Sequence, residues 1–309
     1  MSSERQDTEH PPNRPVIKAR GETAAERHVA RLCESTFLSL WSYPGLYRDQ
    51  RSGPTIPGKE LADLIVVFED QIIVFSDKDC AVPNTGNRDL DWRRWFRRAV
   101  ATSAEQAWGA ERWLRQFPNR VFLDAQCTER FPLPVPNSSE TKFHLIVVAH
   151  DIAQRCAKEL GGSGSLMLRN TVQGIENHVI PFTIGDLEPE RTFVHVLDDT
   201  SLAIVVKTLD TIADFTAYLT KKEIAFRSSQ MVSAAGEEEL LAWYLTRTNE
   251  HGEHDFAFPP DKHGVLLTEG LWELFEKAPQ RRAQVQANEV SYSWVRSGDI
   301  GNNLVGGHG

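Results

Sequence analysis

Asp63 and the triplet Ser76-Asp77-Lys78 bracket two apolar runs, Leu61–Phe68 and Ile72–Phe75, within the stretch Gly58 to Lys78. A buried strand needs neither carboxylate nor ammonium. Burying either costs roughly several kcal/mol unless it is paired or holds a metal. The runs are rich in Ile, Val and Phe and are split by the turn-like Glu69-Asp70-Gln71, which predicts a β-hairpin buried on at least one face. A tight hairpin brings its open ends side by side, so Asp63 falls near Lys78. A carboxylate and a lysine on adjacent strands, beside a helix, suit metal-dependent cleavage of a phosphodiester.

The elements that must position these groups can be read on either side of the hairpin. Thr23 to about Trp41 carries Ala25, Val29, Leu32, Phe37 and Leu40 on a helical stripe, and Thr23 with Glu26 matches a capping box. Pro44 and Tyr47–Pro57 are expected as a loop leading into the hairpin, and Cys80 to about Leu90 as a loop leaving it. From Asp91 to Phe117 a helix is expected. Trp92, Trp95, Phe96 and Ala99 lie on one stripe and Arg93, Arg94, Arg97 and Arg98 on the other surface, joined later by Arg112 and Arg115. As a solvated face of a core helix these arginines need no function. Guanidinium forks nevertheless suit phosphates, and the chain as a whole is acidic. Arg120–Asp124 and Phe143–Ala149 read as strands, and Asp151 to Leu160 as a helix.

Asp63 and the Ser-Asp-Lys triplet, set in this hairpin, resemble the restriction-endonuclease-like nuclease superfamily, whose motif is written PD-(D/E)xK. The order helix, hairpin, helix, strand over the first half of the chain is the order of that core. The resemblance implies an α/β fold with a central mixed sheet, and it identifies Asp63 with the first acid and Lys78 with the lysine. The family's second acid lies two residues before the lysine, where this chain has Ser76. Side chains alternate along a strand, so Ser76 and Lys78 share a face and Asp77 points the other way, unless a bulge turns it inward. The family also places a helical glutamate beside the hairpin, which implies Glu26, with Glu34 as the second choice. Gln106 is similar to a helical glutamine of the exonuclease branches.

The implied activity is hydrolysis of nucleic acid, DNA rather than RNA, by an endonuclease using Mg²⁺ or Mn²⁺. Asp63, Asp77 and Glu26 would be the metal ligands, and Arg93, Arg94, Arg97 and Arg98 the backbone contacts. Restriction, repair or mobile-element defence all fit. The sequence also admits a catalytically silent nucleic-acid-binding or regulatory module of the same fold, or an unrelated α/β protein in which Asp63 and Lys78 are a buried ion pair.

At 309 residues, with 40% hydrophobic and 25% charged residues, the composition is that of a soluble globular protein. A net charge of −9 argues against a protein that coats nucleic acid nonspecifically, while leaving room for a local basic groove. The four scattered cysteines form no CxxC pair, and no apolar run reaches the length of a membrane span, so a cytoplasmic protein is expected. The organisation expected is a polar tail over residues 1–20, a nuclease-like α/β core over 21–160, and an α+β accessory region over 161–309. Gly161-Gly162-Ser163-Gly164-Ser165 marks the break; no Gly-Lys-Ser/Thr follows it, so it is a linker or hairpin loop and not a P-loop. Beyond it, strands are expected over Val179–Ile184 and Phe193–Leu197. Asp198-Asp199-Thr200 offers a helix N-cap before Ser201–Leu209, Asp210-Thr211 does the same before Ile212–Lys222, and Glu237-Glu238-Glu239 opens a further helix. This half could select the target, form a homodimer or bind a protein partner. His251, His254 and His263 lack the fourth ligand of a zinc site.

Overall fold

A computed structural model describes residues 23–256 apart from 35, 37, 39–40, 51–56 and 210. The expected N-terminal tail, His263 and the glycine-rich end lie outside the described residues, as does the side chain of Glu34. The fold is α/β, built on a mixed central sheet flanked by helices.

Helix α1 (Ala24–Glu34) starts where Thr23 Oγ1 accepts the Glu26 N–H at 3.1 Å, and it buries Val29, Ala30, Leu32 and Cys33. Three antiparallel strands follow: β1 (Ser42–Arg48), β2 (Lys59–Phe68) and β3 (Gln71–Lys78). The β2–β3 turn is two residues long, with Glu69 in the left-handed region at φ 49°. The segment around Pro44, expected as a loop, is strand β1. Proline is tolerated there because Ser42–Pro44 pair only with β2, which leaves the missing N–H on a free edge.

Helix α2 (Arg88–Trp95) begins on Asn87, whose side chain accepts the Leu90 N–H. A π-helical turn, Phe96–Ala101, joins it to α3 (Thr102–Gln116). The single helix expected from Asp91 to Phe117 is therefore interrupted. The aromatic cluster holds the interruption in place: Trp92 packs on Trp95 and Phe96 and donates to the His178 carbonyl, and Phe96 stacks on the His178 ring. Strand β4 (Val121–Phe122) extends the sheet beside β1.

Strand β5 (Lys142–Ala149) runs parallel to β3, and every residue after Lys142 is buried, as a strand covered on both faces requires. Helix α4 (Ala153–Leu160) follows, then β6 (Met167–Gln173), β7 (Thr183–Asp186) and β8 (Val194–Asp198). Strand β8 pairs parallel with β5, giving the order β4-β1-β2-β3-β5-β8, so the central sheet draws strands from both sides of the Gly161–Ser165 break. Helices α5 (Asp199–Thr208), α6 (Ile212–Arg227) and α7 (Glu237–Thr246), with β9 (Ser233–Ala234), complete the described chain. Asp198 caps α5 through a full capping box and Thr211 caps α6. A smaller sheet has the order β7-β6-β9.

The core lies between the sheet and its helices. Ile72, Ile73, Val74 and Phe75 of β3 are fully buried, each contributing about 1.5–3 kcal/mol by area. Helix α3 packs on β2, β3 and β5, while α1 packs on β1, β2 and β3.

A candidate active site at a fork between two strands

The β2–β3 ladder ends at the pair Leu64–Phe75. The next residues, Asp63 and Ser76, face each other across strands that have begun to separate. A bulge lies just upstream: against β1, the pair Leu46–Ala62 is followed by Tyr47–Glu60, which leaves Leu61 as the extra residue. Extra twist at a bulge is what opens the fork. The Asp63 carboxylate closes part of the gap, its Oδ2 accepting the Asp77 N–H at 2.6 Å.

Burial pushes the Asp63 carboxyl up to about 6. The Asp77 N–H works against this, the negative charges of Asp77 and Glu26 add to it, and the Ser76 hydroxyl works against it. Both neighbouring charges are of the same sign as Asp63. Asp63 and Lys78 form no ion pair among the described residues. A carboxylate in this setting gains more from a nearby cation than an exposed one would.

Asp63 and Ser76 open into a cleft of about 490 Å³ beneath α3. The Ser76 hydroxyl donates to Gln106 Oε1 at 3.2 Å. Its single proton can serve Gln106 or Asp63, but not both at once. Arg48, Lys59 and Arg112 supply positive charge to the walls, against Glu60 and Glu105. Gly109 lies on the same face of α3.

Asp77 points the other way. The register of β3 against β5 is unbroken from Gln71 to Lys78, so the bulge that would turn Asp77 inward is not at this position. Its carboxylate meets His150 Nε2, and both side chains are buried. The His150 ring lies edge-on to His28 of α1, with centroids 6.3 Å apart. Lys78 shares a strand face with Ser76 by alternation, but it is exposed and outside the lining of the cleft. Glu26 is half-buried in the first turn of α1, and its charge reaches Asp63. Among the described residues, no three His, Cys, Asp or Glu side chains form a group that could hold a metal ion.

Arg93, Arg94, Arg97 and Arg98 are all exposed, while Trp92, Trp95, Phe96 and Ala99 are buried, as the two stripes require. Two of the guanidinium groups are tied to the backbone: Arg93 donates to the Asp89 carbonyl and Arg98 to the Ala81 carbonyl. Arg94 acts electrostatically on buried Asp91. None of the four lines the cleft.

Arg48, Lys59, Gly109 and His150 were missed by sequence reasoning. Arg48 stands at the end of β1 and Lys59 at the start of β2, beside the stretch that composition suggested only as a loop. His150 lies one residue past β5 and gives no periodic signal. No family model, curated protein or solved structure matches the chain.

Proposed function

We propose that this chain is a divalent-metal-dependent nuclease acting on DNA, with Asp63 at its centre. The observation that carries the reading is the Asp63 fork: a carboxylate held in a cleft by a backbone N–H, beside two further negative charges and three basic side chains. The order helix, antiparallel meander, helix, parallel strand supports the same reading. Among the described residues no helix is long and apolar enough to cross a membrane.

The donor set suits Mg²⁺ or Mn²⁺, which bind through one or two carboxylates, substrate phosphate oxygens and water. Asp63 would hold the ion, with Ser76 Oγ and Gln106 Oε1 as neutral oxygens beside it. Asp77 and Glu26 would add charge from behind. Such an ion supplies Lewis acidity and an activated water. The chain's own residues do the rest. Arg48, Lys59 and Arg112 hold a phosphate against the cleft as negative charge builds on phosphorus, and Lys78, exposed outside its lining, has no part the geometry assigns. Cleavage of plasmid, linear and single-stranded substrates with Mg²⁺ or Mn²⁺ against EDTA tests the proposal. A folded protein that cuts none of them under any metal would end it.

A second reading, a silent nucleic-acid-binding module of the same fold, is favoured by one observation: Asp77 is committed to His150, leaving a hydroxyl at the second acid's position. Binding without cleavage would select it.

Two expected results follow from the geometry. Because β3 is regular, Ser76→Ala should lower cleavage about tenfold, while Asp77→Asn should act mainly on stability by weakening a buried hydrogen bond, at about 1–3 kcal/mol. A larger loss of rate for Asp77→Asn than for Ser76→Ala, at equal folded fraction, would mean that Asp77 turns into the site. Replacing Arg93, Arg94, Arg97 and Arg98 together with glutamine should weaken DNA binding evenly across sequences and flatten its salt dependence by up to about four phosphate contacts. An unchanged salt slope would leave those arginines as a solvated surface.

A further inference from the structure

A second cleft, of about 400 Å³, adjoins the first and shares Arg48 with it. Trp113, Gln116 and Phe117 from the end of α3 line it. The Arg48 guanidinium lies 4.9 Å from the Trp113 ring centroid, and Phe117 packs on the same tryptophan at 4.7 Å. Asp49 and Arg120 are engaged with each other, and Arg120 takes the Trp113 N–H on its carbonyl. This clamp fixes the tryptophan and leaves Arg48 and the exposed Gln116 amide at the opening.

Gly109 lines the first cleft, four residues before Trp113 of the second. It sits in the middle of α3, where glycine weakens a helix relative to alanine. Nothing among the described residues requires it. Its φ is not in the left-handed region, and among the described residues an added Cβ would meet no atom within 4 Å. The bare backbone instead leaves room for a ligand to approach the helix closely. From Gly109 to Trp113 the axis advances about 6 Å, the span of a single nucleotide.

We infer that the paired clefts are the track of an unpaired DNA strand, with a phosphate passing over Gly109 and a neighbouring nucleobase held in the Arg48–Trp113–Phe117 pocket. The reading rests on the nuclease proposal and narrows its substrate. A planar heteroaromatic ring matches an aromatic and guanidinium pocket with an amide at its edge. A base stacked and paired within a duplex cannot enter such a pocket. The basic side chains Arg48, Lys59 and Arg112 lie where the strand's phosphates would run.

The test is equilibrium binding of a fluorescent single-stranded DNA, measured in EDTA so that cleavage plays no part. Its blunt duplex, the RNA of the same sequence, and the strand carrying abasic sites are measured alongside. The single strand should bind at least about tenfold tighter than the duplex, and abasic sites should cost about tenfold in the wild type. That abasic penalty should vanish in Gln116→Ala and Arg48→Ala. Gly109→Leu should lose about tenfold in affinity while its Tm stays level or rises by about 1–3 °C, a combination that a merely structural glycine would not give. Duplex bound as tightly as single strand, or unchanged affinity in Gly109→Leu, overturns the inference. So does the absence of any DNA binding. Tighter binding of the RNA overturns the assignment to DNA. Cleavage is scored separately: duplex cutting without single-strand preference sinks this inference alone, and single-strand preference without cutting sinks the nuclease reading alone.

Discussion

Asp63→Asn should abolish cleavage, with a loss of at least about a hundredfold, and at the same time make the protein more stable at neutral pH. The amide keeps the oxygen that accepts the Asp77 N–H, so the fork survives. It removes the negative charge that would hold a divalent ion. The stability gain follows from the raised pKa. A carboxyl that titrates near 6 in the folded protein and near 3.8 unfolded gives its full relative stabilisation below pH 3.8, where it is neutral in both states. That stabilisation is lost as pH rises through about 6. The rise corresponds at most to about 3 kcal/mol. Contact with the open cleft reduces this to about 1–2 kcal/mol. Thermal unfolding at pH 4 and pH 8 should show wild type and Asp63→Asn close together at the lower pH and the variant ahead at the higher. Added Mg²⁺ should raise the wild-type Tm and leave the variant unmoved. A destabilised Asp63→Asn at pH 8, or equal metal shifts in both proteins, would contradict this account of the fork.

Lys222→Met should be the most damaging single change to the fold remote from the cleft. Lys222 and Glu237 join α6 to α7 with 2% of each side chain exposed. The ammonium donates to both carboxylate oxygens, at 2.8 and 2.6 Å, and the Tyr218 hydroxyl donates to one of them at 2.7 Å. Burial, followed by the Glu237 charge, pushes the Tyr218 phenol well above its usual range, so it stays a neutral donor. Removing the lysine leaves a buried carboxylate with the phenol in place of a cation, at a cost of about 3–5 kcal/mol. Replacing both partners, Lys222→Met with Glu237→Leu, should recover most of that cost, because two desolvated charges disappear together. Urea unfolding gives both numbers. Equal loss in the single and double variants would mean that the pair matters only through its shape.

Much of this architecture could be read from residue order. The hairpin, β5 and the caps at Thr23, Asp198 and Thr211 carry local signals that the packing reinforces. Strand β1 was hidden because Pro44 and Gly45 normally break strands, and only its position on a half-free edge makes them acceptable. The π-helical turn was hidden because Phe96-Arg97-Arg98-Ala99-Val100-Ala101 is ordinary helical composition; its cause is the Trp92–His178 packing, more than eighty residues away. That Asp63 lies beside the open end of β3 was legible from the hairpin, although it faces Ser76 and Lys78 lies outside the cleft. The bulge was not: the sequence left one open at Asp77, and the structure has it at Leu61, where nothing in the residue types marks it. Gln106 was noticed, but its contact with Ser76 depends on how α3 settles on the sheet.

The mixed direction of the central sheet has a consequence for how the chain is made. Strands β1, β2 and β3 are close neighbours in sequence and can pair as soon as they exist, whereas β5 must close a long crossover before it reaches β3. On a ribosome adding about 5–20 residues per second, β3 therefore waits several seconds with its apolar inner edge uncovered. The strand that carries Ser76, Asp77 and Lys78 offers, for that interval, an unpaired apolar edge to other chains.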